Sequence, residues 1–410
     1  MISDKDKSRL RALAGKQSEL ANDEKNRQLY ARWLAHGRGD INGGPMVRIE
    51  LDTFEPEILP PRMQCEGDEA RVIERRLLRA MVNRELFDDD TLVPDRYQVG
   101  DRVSFVPFGL PVNRQHTGGL GFHDIPHFED METGLTLIKP TICKEDIAGA
   151  DMEAARADEL FGDLLSVQRV GSVPAMSATA HMLNLMGMEN MYIAMAEEPE
   201  QFKQMLDILI DDYIAHFKRL TEAGLLRSAA REEALYQGTY CFTDELPDGK
   251  VAAKLNELWL YMDSQECSGV SANMYRELVF PSFARLMNEF GLVSYGCCEA
   301  VHALWDDCLS KVPNLRKVSV SPWCDEEMMG ERLHGSNVAY LRKPTPNLIG
   351  VGAELDEQAT HDHIRRTAIA ARGCLLEVIQ RDVYTVNSDP QKVHRYVEII
   401  RQELDAHWQA

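Results

Sequence analysis

The feature that most constrains the fold is a regular alternation of short apolar segments with amphipathic helical segments, from about residue 96 onwards. Eight of the apolar segments have the length and composition of β-strands. They are residues 102–109, 166–172, 235–240, 258–264, 292–298, 316–322, 337–343 and 374–380. Strands that alternate with helices form a parallel sheet, and eight such strands can close on themselves. The sequence therefore predicts an α/β fold of the (β/α)8 TIM-barrel type.

The clearest helical segment follows Pro199 and ends at Gly224. Its apolar side chains recur at intervals of three and four residues, which is the spacing of one helix face. They are Phe202, Met205, Leu206, Leu209, Ile210, Tyr213, Phe217 and Leu220. This helix is predicted to cover the barrel. Another helix is predicted over residues 271–290, with a kink at Pro281 because proline removes a helical hydrogen bond.

Residues 1–95 lack this alternation and are predicted to form a mainly helical extension or cap. The sequence predicts a charged helix over residues 3–37, capped by Ser3, and a second helix over residues 68–86. Between them it predicts one strand at 46–51. The chain has 410 residues, more than one core usually holds, but a barrel with an extension accommodates that length. The predicted domains are residues 1–95 and residues 96–410.

The net charge limits the class of partner. The chain has 66 acidic and 45 basic side chains, and the resulting formal charge of -21 opposes general binding to nucleic acid or to an anionic membrane. A local basic pocket remains compatible with this charge. The N-terminus has no apolar signal-peptide core, so a cytoplasmic location is predicted. Nine cysteines without a CxxC pair favour reduced thiols over disulfides or a zinc finger.

Functional side chains of a (β/α)8 barrel gather at the carboxyl ends of its strands. One such end is the stretch YGCCE, residues 295–299. If the strand continues through Glu299, then Tyr295, Cys297 and Glu299 share one side and Cys298 points away. The alternative is that both cysteines are small packing groups in the core.

A thiolate and a carboxylate on adjacent inward positions can bind zinc. Two protein ligands are too few for a tight site, so a third must come from another strand. The best donors are in the last strand, where Glu377 lies within the strand and Asp382 lies at its mouth. The predicted metal ligands are therefore Cys297, Glu299 and Glu377.

Other strand ends carry further polar groups. One strand is followed by three polar residues, Asp263, Gln265 and Glu266. They either bind a substrate and supply an acid or a base, or they form a solvated turn before the next helix. Trp323 either lines a pocket or packs beneath a helix N-terminus. Arg342, at the end of the seventh strand, is a candidate substrate-binding residue.

Four stretches together resemble the uroporphyrinogen decarboxylase superfamily. They are LMGMENMYIAMAEEPEQFKQMLDILIDDY (185–213), MDSQECSGVSANMYRELVFPSF (262–283), YGCC (295–298) and VNSDPQKV (386–393). The resemblance covers roughly residues 165–408 and implies a (β/α)8 barrel. That superfamily includes porphyrinogen decarboxylases and cobamide-dependent methyltransferases. The arginine-rich RQAGR motif of the decarboxylases is missing here, which favours the methyltransferase branch.

The methyltransferase branch holds zinc with an H-x-C motif on one strand and a further ligand on the last. In this sequence Cys297 matches the cysteine of that motif, and Tyr295 stands in place of the histidine. The resemblance therefore implies a modified zinc site in which zinc acts as a Lewis acid. The candidate catalytic residues are Glu266, Asp382 and Tyr295.

The resemblance implies a corrinoid-linked methyltransferase of the demethylating type, acting on a small methylated substrate. No corrinoid-binding DxHxxG motif is present, so the corrinoid is expected on a separate partner protein. The alternative is a decarboxylase that acts on a carboxylated substrate, with Asp382 or Glu266 as acid or base. A third interpretation is a barrel without chemistry that binds a tetrapyrrole or a protein. A homodimer is compatible with all three.

Overall fold

The computed structural model describes residues 2–118, 121–171 and 173–409. The helices are α1 Asp4–Ala21, α2 Glu24–Gly37, α3 Glu55–Ile58, α4 Asp68–Val82, α5 Met131–Leu137, α6 Ile147–Phe161, α7 Ala178–Met186, α8 Met188–Glu197, α9 Pro199–Glu222, α10 Ala272–Met274, α11 Phe280–Met287, α12 His302–Trp305, α13 Glu326–Leu333, α14 Asn347–Gly350, α15 Glu357–Ala370 and α16 Pro390–His407. Within these ranges, no helix is both long enough and apolar enough to cross a bilayer.

The strands are β1 Met46–Ile49, β2 Arg96–Gly100, β3 Val103–Val106, β4 Arg114–Gly118, β5 Gly121–Asp124, β6 Ile142–Glu145, β7 Ser166–Val170, β8 Ala175–Met176, β9 Ala234–Leu235, β10 Thr239–Tyr240, β11 Trp259–Met262, β12 Leu292–Tyr295, β13 Leu315–Val320, β14 Ala339–Arg342 and β15 Leu376–Gln380. Seven of them form one parallel sheet in the order β1-β15-β14-β13-β12-β11-β8. The mixed α/β class predicted from the sequence is thus confirmed.

A second parallel pair joins β2 to β7, and β7 is separated from β8 by only residues 171–174. Ser172, the last residue of the strand expected over 166–172, lies outside the described residues. Between the described residues of β1 and β2 no strand pairing is present. A closed ring of strands is therefore not shown by these pairings.

Two of the eight predicted strands are not parallel strands of the large sheet. The segment 102–109 contains β3, which pairs antiparallel with β6 outside the large sheet. The segment 235–240 forms the antiparallel β9–β10 hairpin. Their places are taken by β2 and by β1, which pairs in parallel with β15 although it lies within the first 95 residues. Residues 1–95 consequently contribute a strand to the main sheet and are not only a cap.

The two faces of the sheet pack against different partners. On β11, Leu260 and Met262 belong to the large core between the sheet and the helices. Trp259 and Tyr261 face the opposite side and pack with the β9–β10 hairpin. The indole N–H of Trp259 donates a 3.0 Å hydrogen bond to the carbonyl of Cys241. The hairpin therefore lies on the inner face of the sheet, where a barrel interior would be.

The predicted covering helix is confirmed as α9, and every member of its apolar stripe is buried. Gly224 follows it with a φ of 69°. The helix predicted over 271–290 consists of α10, a π-helical turn at Tyr275–Val279, and α11. Pro281 lies at the start of α11, so the wide turn accommodates its missing N–H.

The helix predicted over residues 3–37 is divided into α1 and α2. Ser3 caps α1 as predicted, since its hydroxyl accepts a hydrogen bond from the N–H of Asp6. The division falls at Asp23, whose carboxylate accepts a 2.7 Å hydrogen bond from the N–H of Asn26. An aspartate in this position starts a new helix because it satisfies a free backbone donor.

Candidate functional site

The carboxyl group of Asp263 follows β11 directly and is strongly perturbed. It is 3% exposed, and its Oδ2 accepts a 2.5 Å hydrogen bond from the hydroxyl of Tyr261. Its Oδ1 is buried without a hydrogen-bond partner in the described part of the chain, although Ser177 is close enough to lower its pKa. Burial and the charge of Glu299 nevertheless raise the pKa of Asp263 to about 7. Such a carboxyl group suits proton transfer at neutral pH.

A chain of hydrogen bonds orients this carboxyl group. Gln237, at the tip of the β9–β10 hairpin, donates from Nε2 to the hydroxyl of Tyr261 at 2.7 Å. Tyr261 must then donate its own proton to Asp263. The Oε1 of Gln237 accepts hydrogen bonds from Lys343 and Arg381. Two cations are thereby linked to Asp263 through neutral side chains.

The carboxylate of Glu299 joins two strand ends. One oxygen accepts a 2.9 Å hydrogen bond from the N–H of Ser264, and the other accepts a 2.7 Å bond from the N–H of Cys297. Glu299 is 3% exposed, and its burial raises its pKa. Because both oxygens bind backbone donors, Glu299 holds the turns after β11 and β12 in place.

Two thiols lie side by side at the end of β12. The strand ends at Tyr295, and Gly296 follows with a φ of 102°, so the expected alternation through Glu299 was wrong. Cys298 does not point away: its sulfur is 3.6 Å from that of Cys297. This contact lowers the pKa of Cys298 to about 7 and, together with burial, raises that of Cys297.

The side chain of Tyr295 lies on the helix side of the sheet rather than beside the thiols. Its hydroxyl is 2.6 Å from the hydroxyl of Ser264 and 2.6 Å from that of Tyr275. Ser264 also donates its backbone N–H to Glu299. Tyr295 thus supports the site through Ser264, and burial raises its pKa well above the usual value.

At the end of β14, the side chain of Arg342 faces the helices, and that of the next residue, Lys343, faces the site. Lys343 is 3% exposed and donates a 3.0 Å hydrogen bond to the carbonyl of Cys297, and burial lowers its pKa. The guanidinium of Arg342 is bound by Glu326, the carbonyl of Ser321 and neighbouring groups. Sequence reasoning selected Arg342 and missed Lys343, although Lys343 also stands at a strand end.

Glu377 is held away from the cysteines, near the beginning of β15. It forms a 2.8 Å ion pair with Lys317 and accepts a 2.5 Å hydrogen bond from Thr239. His36 lies 3.3 Å from the same carboxylate. Burial acts to raise the pKa of Glu377, but the charge of Lys317 and the nearby His36 ring outweigh it and lower that pKa to about 2.

The predicted zinc ligands do not fit a common metal ion. Glu377 is occupied by Lys317 and Thr239, and both oxygens of Glu299 bind backbone N–H groups. In the residues that the structure describes, no group of three or more His, Cys, Asp and Glu side chains is arranged to hold a metal. Cys297 and Cys298 remain as two thiols without a third ligand.

The other predicted residues have separate places. Gln265 and Glu266 lie in the turn after Asp263, and a carboxylate oxygen of Glu266 accepts a 2.7 Å bond from a threonine of α7. Asp382 follows β15 with a φ of 59°. Its negative charge is close enough to Cys298 to act to raise the pKa of that thiol. Trp323 is 73% exposed, so it is not packed beneath the following helix.

A cavity of about 530 Å³ lies at the carboxyl ends of β1, β2, β7 and β15 and reaches Gln237. An adjoining cavity of about 310 Å³ shares part of its wall. Together they are lined by five arginines and four carboxylates: Arg48, Arg76, Arg79, Arg96, Arg381, Glu50, Asp52, Glu232 and Glu233. The lining therefore carries one more positive than negative side chain, in a chain whose formal charge is -21. The sequence was compatible with a local basic pocket but did not indicate which residues would line it.

Arg48 is the arginine of this lining whose charge is least compensated. Its guanidinium lies 3.9 Å from the ring centre of Tyr240 and bonds to Thr91 and the carbonyl of Gly238. Among the described residues no carboxylate lies within 4 Å of it, and the nearest negative charge in its surroundings is that of the buried Asp89, which it reaches through Thr91. Arg79 and Arg381, in contrast, already pair with carboxylates. Arg48 is therefore the cation most available to a bound anion.

Comparison with known proteins supports the fold. One solved structure, described as a methyltransferase from Methanosarcina mazei, is similar over 92% of this chain and 98% of its own, with a TM-score of 0.51. The sequence identity is 12%, so the likeness concerns the fold alone. No family model matches the sequence, and no curated protein matches it.

Proposed function

We propose that this protein is a methyltransferase of the demethylating type, built on a (β/α)8 barrel of the uroporphyrinogen decarboxylase superfamily. The similarity in fold to a methyltransferase supports this, as do the four sequence stretches noted above. The parallel strands are consistent with such a barrel, since they make eight in chain order: β1, β2, β7 with β8, β11, β12, β13, β14 and β15.

The observation that carries the proposal is the buried carboxyl group of Asp263. When a methyl group leaves a heteroatom, the bond electrons remain on that atom, which then requires a proton. Burial raises the pKa of Asp263 to about 7, which makes its acid form accessible near neutral pH, and its Oδ1 has no hydrogen-bond partner in the described residues. We assign Asp263 as the general acid that protonates the leaving group. Tyr261 and Gln237 hold it in position.

The acceptor of the methyl group is a cobalt(I) corrinoid on a separate protein in this proposal, as the resemblance implies. The corrinoid supplies the nucleophile, and the residues of this chain bind the donor and provide the proton. Zinc, the cofactor that the resemblance also implies, does not fit the ligands predicted for it, so we derive no step through a metal ion.

The arginine-lined cavities support a donor with an anionic group. Arg48 would bind that group, because a guanidinium forms paired hydrogen bonds with a carboxylate and this one lacks a carboxylate partner. Gln237 lines the same cavity and contacts Tyr261, the neighbour of Asp263. Gln237 thus links the cavity to Asp263 through the hydroxyl of Tyr261.

Decarboxylation is a second candidate, and the same cavity favours it. Loss of CO2 from a carboxylate leaves a carbanion, which Asp263 could protonate in the same way. The two activities differ in their products, since one forms methylated corrinoid and the other releases CO2.

The test is to supply the purified protein with cob(I)alamin and with carboxylate-containing donors that carry a methoxy or a methylamino group. We expect methylcobalamin to form, which its visible absorbance detects, and Asp263→Asn to reduce the rate about 10²-fold or more. Asp405→Asn is the matched control, since Asp405 is exposed on α16. CO2 release without methylcobalamin would favour decarboxylation. A fully active Asp263→Asn variant would exclude the assigned role.

A further inference from the structure

The adjacent cysteines at the end of β12 form a distinctive chemical group. Of the nine cysteines, four are partly exposed, and two of these are Cys297 and Cys298. Their sulfurs are 3.6 Å apart. The other two, Cys143 and Cys324, contact a histidine ring and a serine hydroxyl. The pair is thus a dithiol in which one sulfur already faces the other.

We propose that Cys297 and Cys298 are a site of reversible oxidation, at which a vicinal disulfide forms and switches the neighbouring site off. With a low-molecular-weight disulfide as oxidant, one thiolate attacks a sulfur of the oxidant and releases one thiol. The second cysteine then attacks the mixed disulfide and releases the other thiol. The protein loses two electrons and two protons, and the oxidant becomes two thiols.

The environment of the pair favours the first step. Lys343 donates a 3.0 Å hydrogen bond from Nζ to the carbonyl of Cys297, which places a cationic side chain next to the backbone of the pair. A nearby positive charge stabilises a thiolate, the reactive form of cysteine. Both cysteines are partly exposed, whereas five of the nine cysteines are buried.

The covalent geometry makes the product easy to reduce. Adjacent residues have Cα atoms about 3.8 Å apart, whereas disulfides usually join Cα atoms separated by roughly 4.4–6.8 Å. The ring that closes between neighbours is therefore strained, and a strained disulfide has a higher reduction potential. Such a bond suits a reversible switch better than a permanent cross-link.

Closing this ring would disturb the groups that support Asp263. The backbone N–H of Cys297 donates to Glu299, and its carbonyl accepts from Lys343 and Ser319, each of the last two at 3.0 Å. Formation of the disulfide must change the torsion angles of the peptide that carries these groups. Glu299 and Lys343 would shift, and both influence the site around Asp263.

The experiment begins with the fully reduced, full-length protein, which is exposed to glutathione disulfide, alkylated, digested and analysed by mass spectrometry. We expect the peptide containing Cys297 and Cys298 to become two hydrogen atoms lighter and to resist alkylation, and dithiothreitol to reverse both changes. A glutathione adduct alone, a sulfinic acid alone, or no change in this peptide would each overturn the proposal. This readout does not depend on the proposed methyl transfer.

The effect on activity is measured in the same samples and rests on the proposed function. We expect oxidation to lower the methyl-transfer rate at least tenfold, and reduction to restore it. Cys298→Ser should make the remaining rate insensitive to the oxidant, whereas Cys143→Ser, which removes another partly exposed thiol, should leave the wild-type response. A reversible disulfide with an unchanged rate would overturn the switch. If no methyl transfer is found, the peptide analysis still decides whether the disulfide forms.

Discussion

Glu377 provides a sharp test because the sequence predicted a metal ligand there and the structure gives it a different role. The perturbation is Glu377→Gln, which keeps the size of the side chain and removes its charge. In the folded protein this carboxylate pairs with Lys317 at 2.8 Å, and both side chains are almost completely buried. The substitution therefore leaves Lys317 as a buried cation without its partner.

Two independent estimates give the size of the effect. The pKa of Glu377 is about 2 in the folded protein against a usual value of 4.5, a difference worth about 3 kcal/mol at neutral pH. Breaking a buried ion pair by removing one partner generally costs about 3–5 kcal/mol. We therefore expect Glu377→Gln to lower the free energy of unfolding by about 3–5 kcal/mol.

The assay is urea unfolding followed by circular dichroism, from pH 7 down to pH 2. Because the folded pKa lies below the usual one, the contribution of Glu377 is present above about pH 4.5 and is lost as the pH falls towards 2. The difference between wild type and variant should shrink over that interval. Glu331→Gln, on the exposed side of α13, is the control.

A double variant separates the ion pair from simple loss of packing. Lys317→Met combined with Glu377→Gln should be more stable than Glu377→Gln alone, because no unpaired charge is left in the interior. A cost below about 1 kcal/mol for Glu377→Gln at pH 7, or no rescue by Lys317→Met, would refute this reasoning.

Three further predictions concern the site. Methyl transfer should become slower as the pH rises through about 7, because Asp263 must be protonated to act as an acid, and Asp263→Asn should abolish this limb of the pH–rate profile. Gly296→Ala should destabilise by about 1–3 kcal/mol in urea unfolding, since φ is 102° and a Cβ would lie 3.2 Å from Ser319 and Val301. Gly39→Ala, with a φ of 81° and open space around it, should cost less. Arg48→Gln should weaken the binding of a carboxylated ligand about tenfold or more in calorimetry and leave the binding of a neutral analogue unaffected. Equal losses of affinity for both ligands would contradict the role of the Arg48 charge.

Alternation along a strand explains why the sequence identified some site residues and not others. Arg342 and Lys343 are neighbours at the end of β14, and a shift of one residue moves a side chain to the other face of a sheet. Arg342 therefore faces the helices and Lys343 faces the site. Asp263 was found because it follows β11 directly and lies on the inner face with Tyr261.

The turn after β12 shows a different limit of sequence reasoning. The prediction that Cys297 and Glu299 point together assumed a strand that continues past Gly296. Glycine permits a positive φ, and here the chain uses that freedom to end the strand and to place two sulfurs together. The sequence contains the glycine, but its conformation depends on contacts from neighbouring strands.

The sequence by itself determined the α/β class, the covering helix α9, the cap at Ser3, and the concentration of polar groups after β11 and β12. These features follow from local periodicity and side-chain chemistry, which neighbouring residues carry. Only the tertiary structure decided that β1 joins the main sheet, that the β9–β10 hairpin enters its inner face, and that Glu377 pairs with Lys317. Contacts between residues far apart in the chain produce these features, and such pairings leave no periodic signal in the sequence.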